Sequence, residues 1–153
     1  MSNIRKITES DRPRVMEMMR DFYSSDATWL LPSDEIFNND ITECISDSPF
    51  ADGFVFTDED GTVRGYAMIA HSFATEFGRR CIWIEDLYLE KELQGTGLAS
   101  EFLAYIQSAY PEAVHRLESE DDNEHANGIY RRKGFRRMPY IEMIRNLPDE
   151  MSE

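Results

Sequence analysis

Several residue types and patterns are scarce in this chain, and each scarcity excludes a class of protein. Only two cysteines occur in 153 residues, Cys44 and Cys81, far apart and in no metal-ligand spacing. That leaves no framework for a disulfide-stapled fold or a thiolate zinc site, and both read as reduced thiols of a cytoplasmic protein. His71, His115 and His125 also lack metal spacing, so no metal centre is expected, and His125 is notable only for lying beside Asn123. No apolar run approaches the roughly 20 residues that span a bilayer. The opening Met1-Ser2-Asn3-Ile4-Arg5-Lys6 lacks the apolar core of a signal peptide, so no membrane partner is expected. Basic residues are outnumbered, 16 Lys and Arg against 30 Asp and Glu, for a net charge of −14. This argues against nucleic acid, whose binding rests on neutralising phosphates with cations. It suits a cationic substrate by electrostatic steering, and it equally serves solubility.

What is present is enough for one core: 41% of the residues are hydrophobic, which excludes global disorder. A short strand is expected over 3–8. Thr8-Glu9-Ser10-Asp11 supplies helix-start chemistry, and Val15, Met18, Met19, Phe22 and Tyr23 carry a helix to about residue 25. A connector containing Trp29 leads to Ser33-Asp34, which caps a second helix with Ile36, Phe37, Ile41 and Ile45 on one face. Residues 49–53 break it. Strands over 54–57 and from 63 to about 73 flank the hairpin signal Asp58-Glu59-Asp60-Gly61, and a second turn at 75–78 leads to a strand over 80–89. A helix carrying Leu98, Phe102, Leu103, Ile106 and Tyr110 stops before Pro111. A strand over 113–119, a short helix over 123–133 and one or two closing strands over 135–146 complete the chain. The order β-α-α-β-β-β-α-β-α-β(-β) implies an α/β (α+β mixed) fold. Its central, mostly antiparallel mixed sheet has helices on both faces and one right-handed parallel unit. No repeat or linker divides it: 1–147 reads as a single domain and 148–153 as an acidic tail.

The segment richest in chemical meaning is Gln94-Gly95-Thr96-Gly97-Leu98-Ala99, between an apolar strand and an amphipathic helix. Small residues there let several backbone N–H groups converge, and a helix start adds unpaired donors and a positive dipole end, which together seat an anion. Taken alone, a glycine pair is equally a tight turn. The dinucleotide fingerprint needs a third glycine and the Walker loop needs Gly-Lys-Ser/Thr, and neither is present. A second pattern lies downstream: Asn123, Ala126, Tyr130, Gly134 and Phe135.

With both patterns the chain resembles the GCN5-related N-acetyltransferase (GNAT) superfamily. That family carries Gln/Arg-x-x-Gly-x-Gly/Ala after its fourth strand, filled by Gln94, Gly97 and Ala99. It also carries Asn-x-x-Ala-x-x-x-Tyr-x-x-x-Gly-Phe, matched from Asn123 to Phe135. The resemblance implies acetyl-CoA as donor, its pyrophosphate on backbone N–H groups from Gln94, Gly95, Thr96, Gly97, Leu98, Ala99 and Ser100. Its pantetheine arm would lie along Leu87, Tyr88 and Leu89, where a bulge splays the strand, with Asn123 as a polar contact. The Leu87 N–H would polarise the thioester carbonyl, and Tyr130 would protonate the leaving thiolate. The other reading of Tyr130 is a half-buried core residue. The family also implies a homodimer.

The acceptor side is marked by Glu85 and Asp86, which interrupt the apolar strand. Successive strand residues face opposite sides, so only one of them is expected in a given cleft. Glu85 is chosen for acceptor binding and water-mediated deprotonation, against the alternative of a structural salt bridge or turn contact. The run Ile84-Glu85-Asp86-Leu87-Tyr88-Leu89 with Leu98-Ala99-Ser100-Glu101 is similar to the diamine (spermidine/spermine) acetyltransferase branch, departing at Leu87 and Ala99. Trp29, with Asp26 and Asp34, occupies the connector where the family varies its acceptor pocket. The expected activity is transfer of acetyl from acetyl-CoA to a small-molecule primary amine in a ternary complex. Acetylation of a protein lysine or N-terminus, or non-catalytic acyl-CoA binding, would use the same donor loop.

Overall fold

Apolar residues at two-residue spacing bring five short segments into one sheet. In the computed structural model, which describes residues 3–147, these are β1 (Ile4–Lys6), β2 (Ala51–Thr57), β3 (Val63–Ala74), β4 (Arg79–Leu89) and β5 (Val114–Leu117). They are hydrogen-bonded in sequence order: the first four pair antiparallel, and β4 pairs parallel with β5. Four helices cover the sheet: α1 (Arg12–Tyr23), α2 (Asp34–Ile45), α3 (Leu98–Ala109) and α4 (Glu124–Arg132).

Local chemistry fixes the helix starts as the sequence implies. The Asp11 carboxylate accepts the Thr8 N–H at 2.8 Å, while the Asp11 N–H reaches the Thr8 carbonyl at 3.0 Å. This reciprocal cap precedes a helix whose first turn holds Pro13, where no N–H is needed. Ser33 caps α2 through the Ile36 N–H at 3.3 Å.

Two apolar layers result, one on each face of the sheet. Val15, Met18 and Met19 of α1 and Phe37 and Ile41 of α2 pack on Val55, Tyr66 and Met68. On the other face Leu98, Phe102, Leu103 and Ile106 of α3 pack on Phe54, Phe56, Ile69, Ile82 and Ile84. These side chains are almost wholly buried, and each large one contributes about 1.5–3 kcal/mol. The expected methionine stripe of α1 is therefore core.

Three boundaries differ from the sequence expectation. β2 starts at Ala51, because Gly53 lies within the strand, packed so closely that an added Cβ would stand 2.9 Å from Ile7 Cγ2. β5 is shorter than 113–119, for it ends where its partner diverges. The closing strands are absent: residues 135–147 contain no strand. Pro139 lacks the N–H a ladder needs. Met138, Tyr140, Ile141, Met143 and Ile144 are exposed, so no apolar face drives pairing. Side-chain contacts tether this segment instead, Arg137 to Asp121 at 2.7 Å and the Tyr140 hydroxyl to Glu76 at 2.6 Å. The expected tail at 148–153 lies outside the described residues. Among the described residues no helix is long and apolar enough to cross a membrane.

Candidate active site

β4 and β5 pair only over four rungs, and the last joins Ile84 to Leu117. Beyond it β4 runs on to Leu89 while the chain after Leu117 turns away, so 85–89 have no strand partner on the β5 side. A bulge lies at this fork. In the β3–β4 ladder Met68 opposes Asp86 and Ile69 opposes Ile84, which leaves Glu85 as an extra residue on β4. A bulge resets the side-chain alternation. Ile82 and Ile84 face α3. After the bulge Leu87 and Leu89 again face α3, while Asp86 and Tyr88 face α1 and α2. Glu85 is exposed while Asp86 is buried, so only one of the two opens to solvent, and Asp40 on α2 lies within electrostatic reach of both.

At the end of β4 the glycine loop has the geometry of an anion seat. Gly95 (φ 78°) and Gly97 (φ 82°) are left-handed, and the space where their side chains would stand is open. The N–H groups of Gly95, Gly97, Leu98, Ala99 and Ser100 donate to no described carbonyl, and the α3 ladder begins only with Glu101 to Gly97 at 3.0 Å. Two loop residues are structural. The Gln94 side chain holds the Leu89 carbonyl at 3.1 Å, and the Thr96 hydroxyl holds that of Leu93 at 2.5 Å. Five unpaired donors at a helix start, glycines with open flanks and an unpaired strand edge fit a ligand with a pyrophosphate and an extended amide-bearing arm.

Several carboxylates lie within electrostatic reach of one another beside the fork. Asp86 is buried without a cation beside it. It is held instead by the Tyr23 hydroxyl at 2.6 Å and the Tyr66 hydroxyl at 2.7 Å. Burial raises its pKa, and the two phenols partly counter that. Asp40 is pushed up to about 7, by burial first and then by Asp86 and Glu85. Glu85 is open to solvent on one side, yet the protein around it removes enough water to raise its pKa, and Asp86 and Glu142 add negative charge. Glu118, the residue after the last β5 rung, is raised to about 7 by sharing a hydrogen bond with Glu142, then by burial and by neighbouring charge.

Tyr130 of α4 packs into the same apolar cluster as Leu87, Leu89 and Leu117, with its ring 6.0 Å from Phe135. Burial raises its pKa, which keeps the phenol protonated. Asn123 precedes α4 without capping it through its side chain. The loop before α4 is held by Asn127, which binds the Ser119 hydroxyl and the Glu120 carbonyl, a role no motif singled out. The Tyr88 ring stacks toward Phe22 and Tyr66, so only its backbone faces the fork. Trp29 is 69% exposed and makes no ring contact or hydrogen bond to a described residue, and Asp34 is engaged by Arg20 at 2.9 Å. The structure thus gathers the loop, Leu87, Tyr130 and Glu85 at one fork and leaves Trp29 outside it. A separate cavity of about 330 Å3 between Phe73, Cys81, Trp83 and Arg116 contains none of these residues.

Residues 13–135 match the acetyltransferase (GNAT) family. The chain belongs to that family. Solved structures agree with its fold. An integron cassette protein from the mobile metagenome of Cole Harbour Salt Marsh superposes with a TM-score of 0.78 at 16% identity, covering 96% of this chain and 91% of that one. A possible acetyltransferase from Clostridium difficile 630 gives 0.77 at 16%, covering 95% and 97%. AAC(6')-Iy, in complex with the bisubstrate analogue CoA-S-monomethyl-acetylneamine, gives 0.74 at 13%, covering 95% and 98%. No significant relative is found among curated proteins. The diamine branch finds no counterpart among these relatives.

Proposed function

We propose that this GNAT enzyme transfers acetyl from acetyl-CoA to a primary amine of a small, polyamine-like cation by direct attack in a ternary complex. The observation that carries the reading is the fork itself. Its wall beyond Ile84–Leu117 has an unpaired edge, its β4 end meets five free N–H groups, and Glu85 stands exposed beside it with Asp40 and Glu118 within electrostatic reach. Acetyl-CoA supplies an activated thioester. Gly95, Gly97, Leu98, Ala99 and Ser100 would hold its pyrophosphate, and the edge from Leu87 to Leu89 its arm. Asn123 would add a polar contact.

The carboxylates attract an ammonium, and Glu85 takes its proton through a water, freeing the lone pair for attack. The Leu87 N–H stabilises the charge that gathers on the carbonyl oxygen. The new N–C bond forms as C–S breaks, the second proton of the attacking nitrogen leaves to water, and Tyr130 gives its proton to the departing thiolate and is reprotonated from solvent. A homodimer in the cytoplasm belongs to this reading by analogy with the family, and so does Trp29 as a residue of the acceptor entrance. Support for an amine acceptor also comes from AAC(6')-Iy, whose bound analogue joins CoA to an acetylated neamine.

The test is initial-rate kinetics with acetyl-CoA and a panel of diamines, polyamines, aminoglycosides and basic peptides. Turnover should favour flexible di- and polyamines. Tight CoA binding with no turnover on any amine would leave a binding module, and peptides alone as substrates would move the acceptor class to protein.

A further inference from the structure

A carboxylate buried among apolar side chains normally has a cation beside it, because its desolvation is otherwise expensive. Asp86 has none. Its oxygens are taken up by two phenols from different elements, Tyr23 at the last position of α1 and Tyr66 in the centre of β3. An apolar residue would pack at this position without that cost. This carboxyl stands immediately after the bulged residue Glu85, two residues past the last β4–β5 rung at Ile84.

We propose that Asp86 is a positioning residue for Glu85: anchored by Tyr23 and Tyr66, it pins the bulge that turns Glu85 into the fork and sets a second carboxyl directly beside it. This rests on the acetyltransferase reading and adds to it a residue that touches neither donor nor acceptor. Geometry supplies both halves. The bulge turns the residue after Glu85 toward α1 and α2, where the two phenol hydrogen bonds hold Asp86 in one place. Two adjacent carboxylates in a partly dry site repel, so the charge on the inner one resists ionisation of the outer one.

The groups that face the pair come from every neighbouring element: Tyr23 from α1, Asp40 and Cys44 from α2, Tyr66 from β3, Glu118 beyond β5, and Glu142 from the closing segment. None is a cation, so no described group among them offsets the effect of Asp86. The direction of the Glu85 shift, upward by desolvation first and Asp86 next, agrees.

The experiment is carbon-13 NMR of protein labelled at glutamate carboxyls, with the Glu85 signal identified by its loss in Glu85→Gln. In Asp86→Asn the Glu85 midpoint should move to lower pH. In Tyr23→Phe/Tyr66→Phe, which keeps the carboxyl but removes the groups that stabilise its charge, Asp86 holds its proton to higher pH. The Glu85 midpoint should then move the same way. This second variant loses only hydroxyls and serves if Asp86→Asn does not fold. The acid limb of kcat/KM should follow the NMR midpoint in each. An unmoved midpoint overturns the inference whatever the activity, and a moved midpoint with an unmoved acid limb overturns the role in the reaction. A moved midpoint in a protein that turns over no amine leaves the coupling standing and removes the acetyltransferase reading instead.

Discussion

Tyr130 illustrates how one residue can be both packing and chemistry. Its ring belongs to the cluster of Leu87, Leu117 and Phe135, while burial keeps its hydroxyl protonated. Those properties suit a proton donor to a thiolate in a site from which water is largely excluded. Replacing it with Phe keeps the ring and removes the proton. Tyr130→Phe should therefore lower kcat by about 100-fold while leaving the dissociation constant for CoA within about two-fold, as measured by calorimetry beside steady-state rates. A residue that only packs would give the reverse pattern, with rate preserved. The glycine loop differs in kind: Gly97 acts through its backbone, where a left-handed φ of 82° aims the first N–H groups of α3 outward.

At the scale of elements, β3 and β4 form the frame on which the fork is cut. Gly65 is what lets them close. A Cβ there would stand 2.6 Å from the Tyr88 carbonyl oxygen and 3.0 Å from Phe56, both fixed by the ladder and the core. Gly65→Ala should cost about 2–3 kcal/mol in urea unfolding and weaken CoA binding by displacing the 87–89 edge, whereas a stability unchanged within error would show that the strands can give way. The ladder itself was legible: alternating apolar residues marked each strand, Asp58-Glu59-Asp60-Gly61 marked the hairpin, and Ser33 and Pro13 marked helix starts. The geometry of the glycine loop was legible for the same local reason, since free N–H groups follow from glycines at a helix start. The bulge was not, because an extra residue shows only against a partner strand, and with it went the placing of Glu85 relative to Asp86. Nor was the phenol clamp, since Tyr23 and Tyr66 look like any aromatic on an apolar face until Asp86 is brought between them. The segment 135–147 misled in the other direction, its apolar residues reading as strands although they stay exposed and pair with no described strand.

Across the whole molecule, the net charge of −14 is not spread evenly in effect, for several carboxylates converge on one fork with no cation among them. Such a site should hold a cation well and should strain the empty protein at neutral pH. Asp40 makes this measurable. Its folded pKa of about 7 lies above the ordinary aspartate value of 3.8. Between those values the folded protein keeps a proton that the unfolded chain has released, so stability falls as pH rises through that window. Asp86, Glu85 and Glu118 act in the same direction. Asp11, lowered chiefly by its hydrogen bond from Arg5, acts oppositely, contributing stability above the ordinary value that is lost on acidification. Asp40→Asn fixes the neutral form. Its effect on unfolding free energy should be small near about pH 4, grow as pH rises, and level off at about 1–2 kcal/mol of stabilisation above about pH 7, less than the full shift because part of the carboxyl sees water. A saturating polyamine should erase the difference by supplying the missing cation to the wild-type site, since a ligand that binds only the folded form adds to its stability. Urea titrations across the pH range, with and without spermidine, measure both effects. A gain that does not change with pH would show that Asp40 carries no unfavourable charge in the fold.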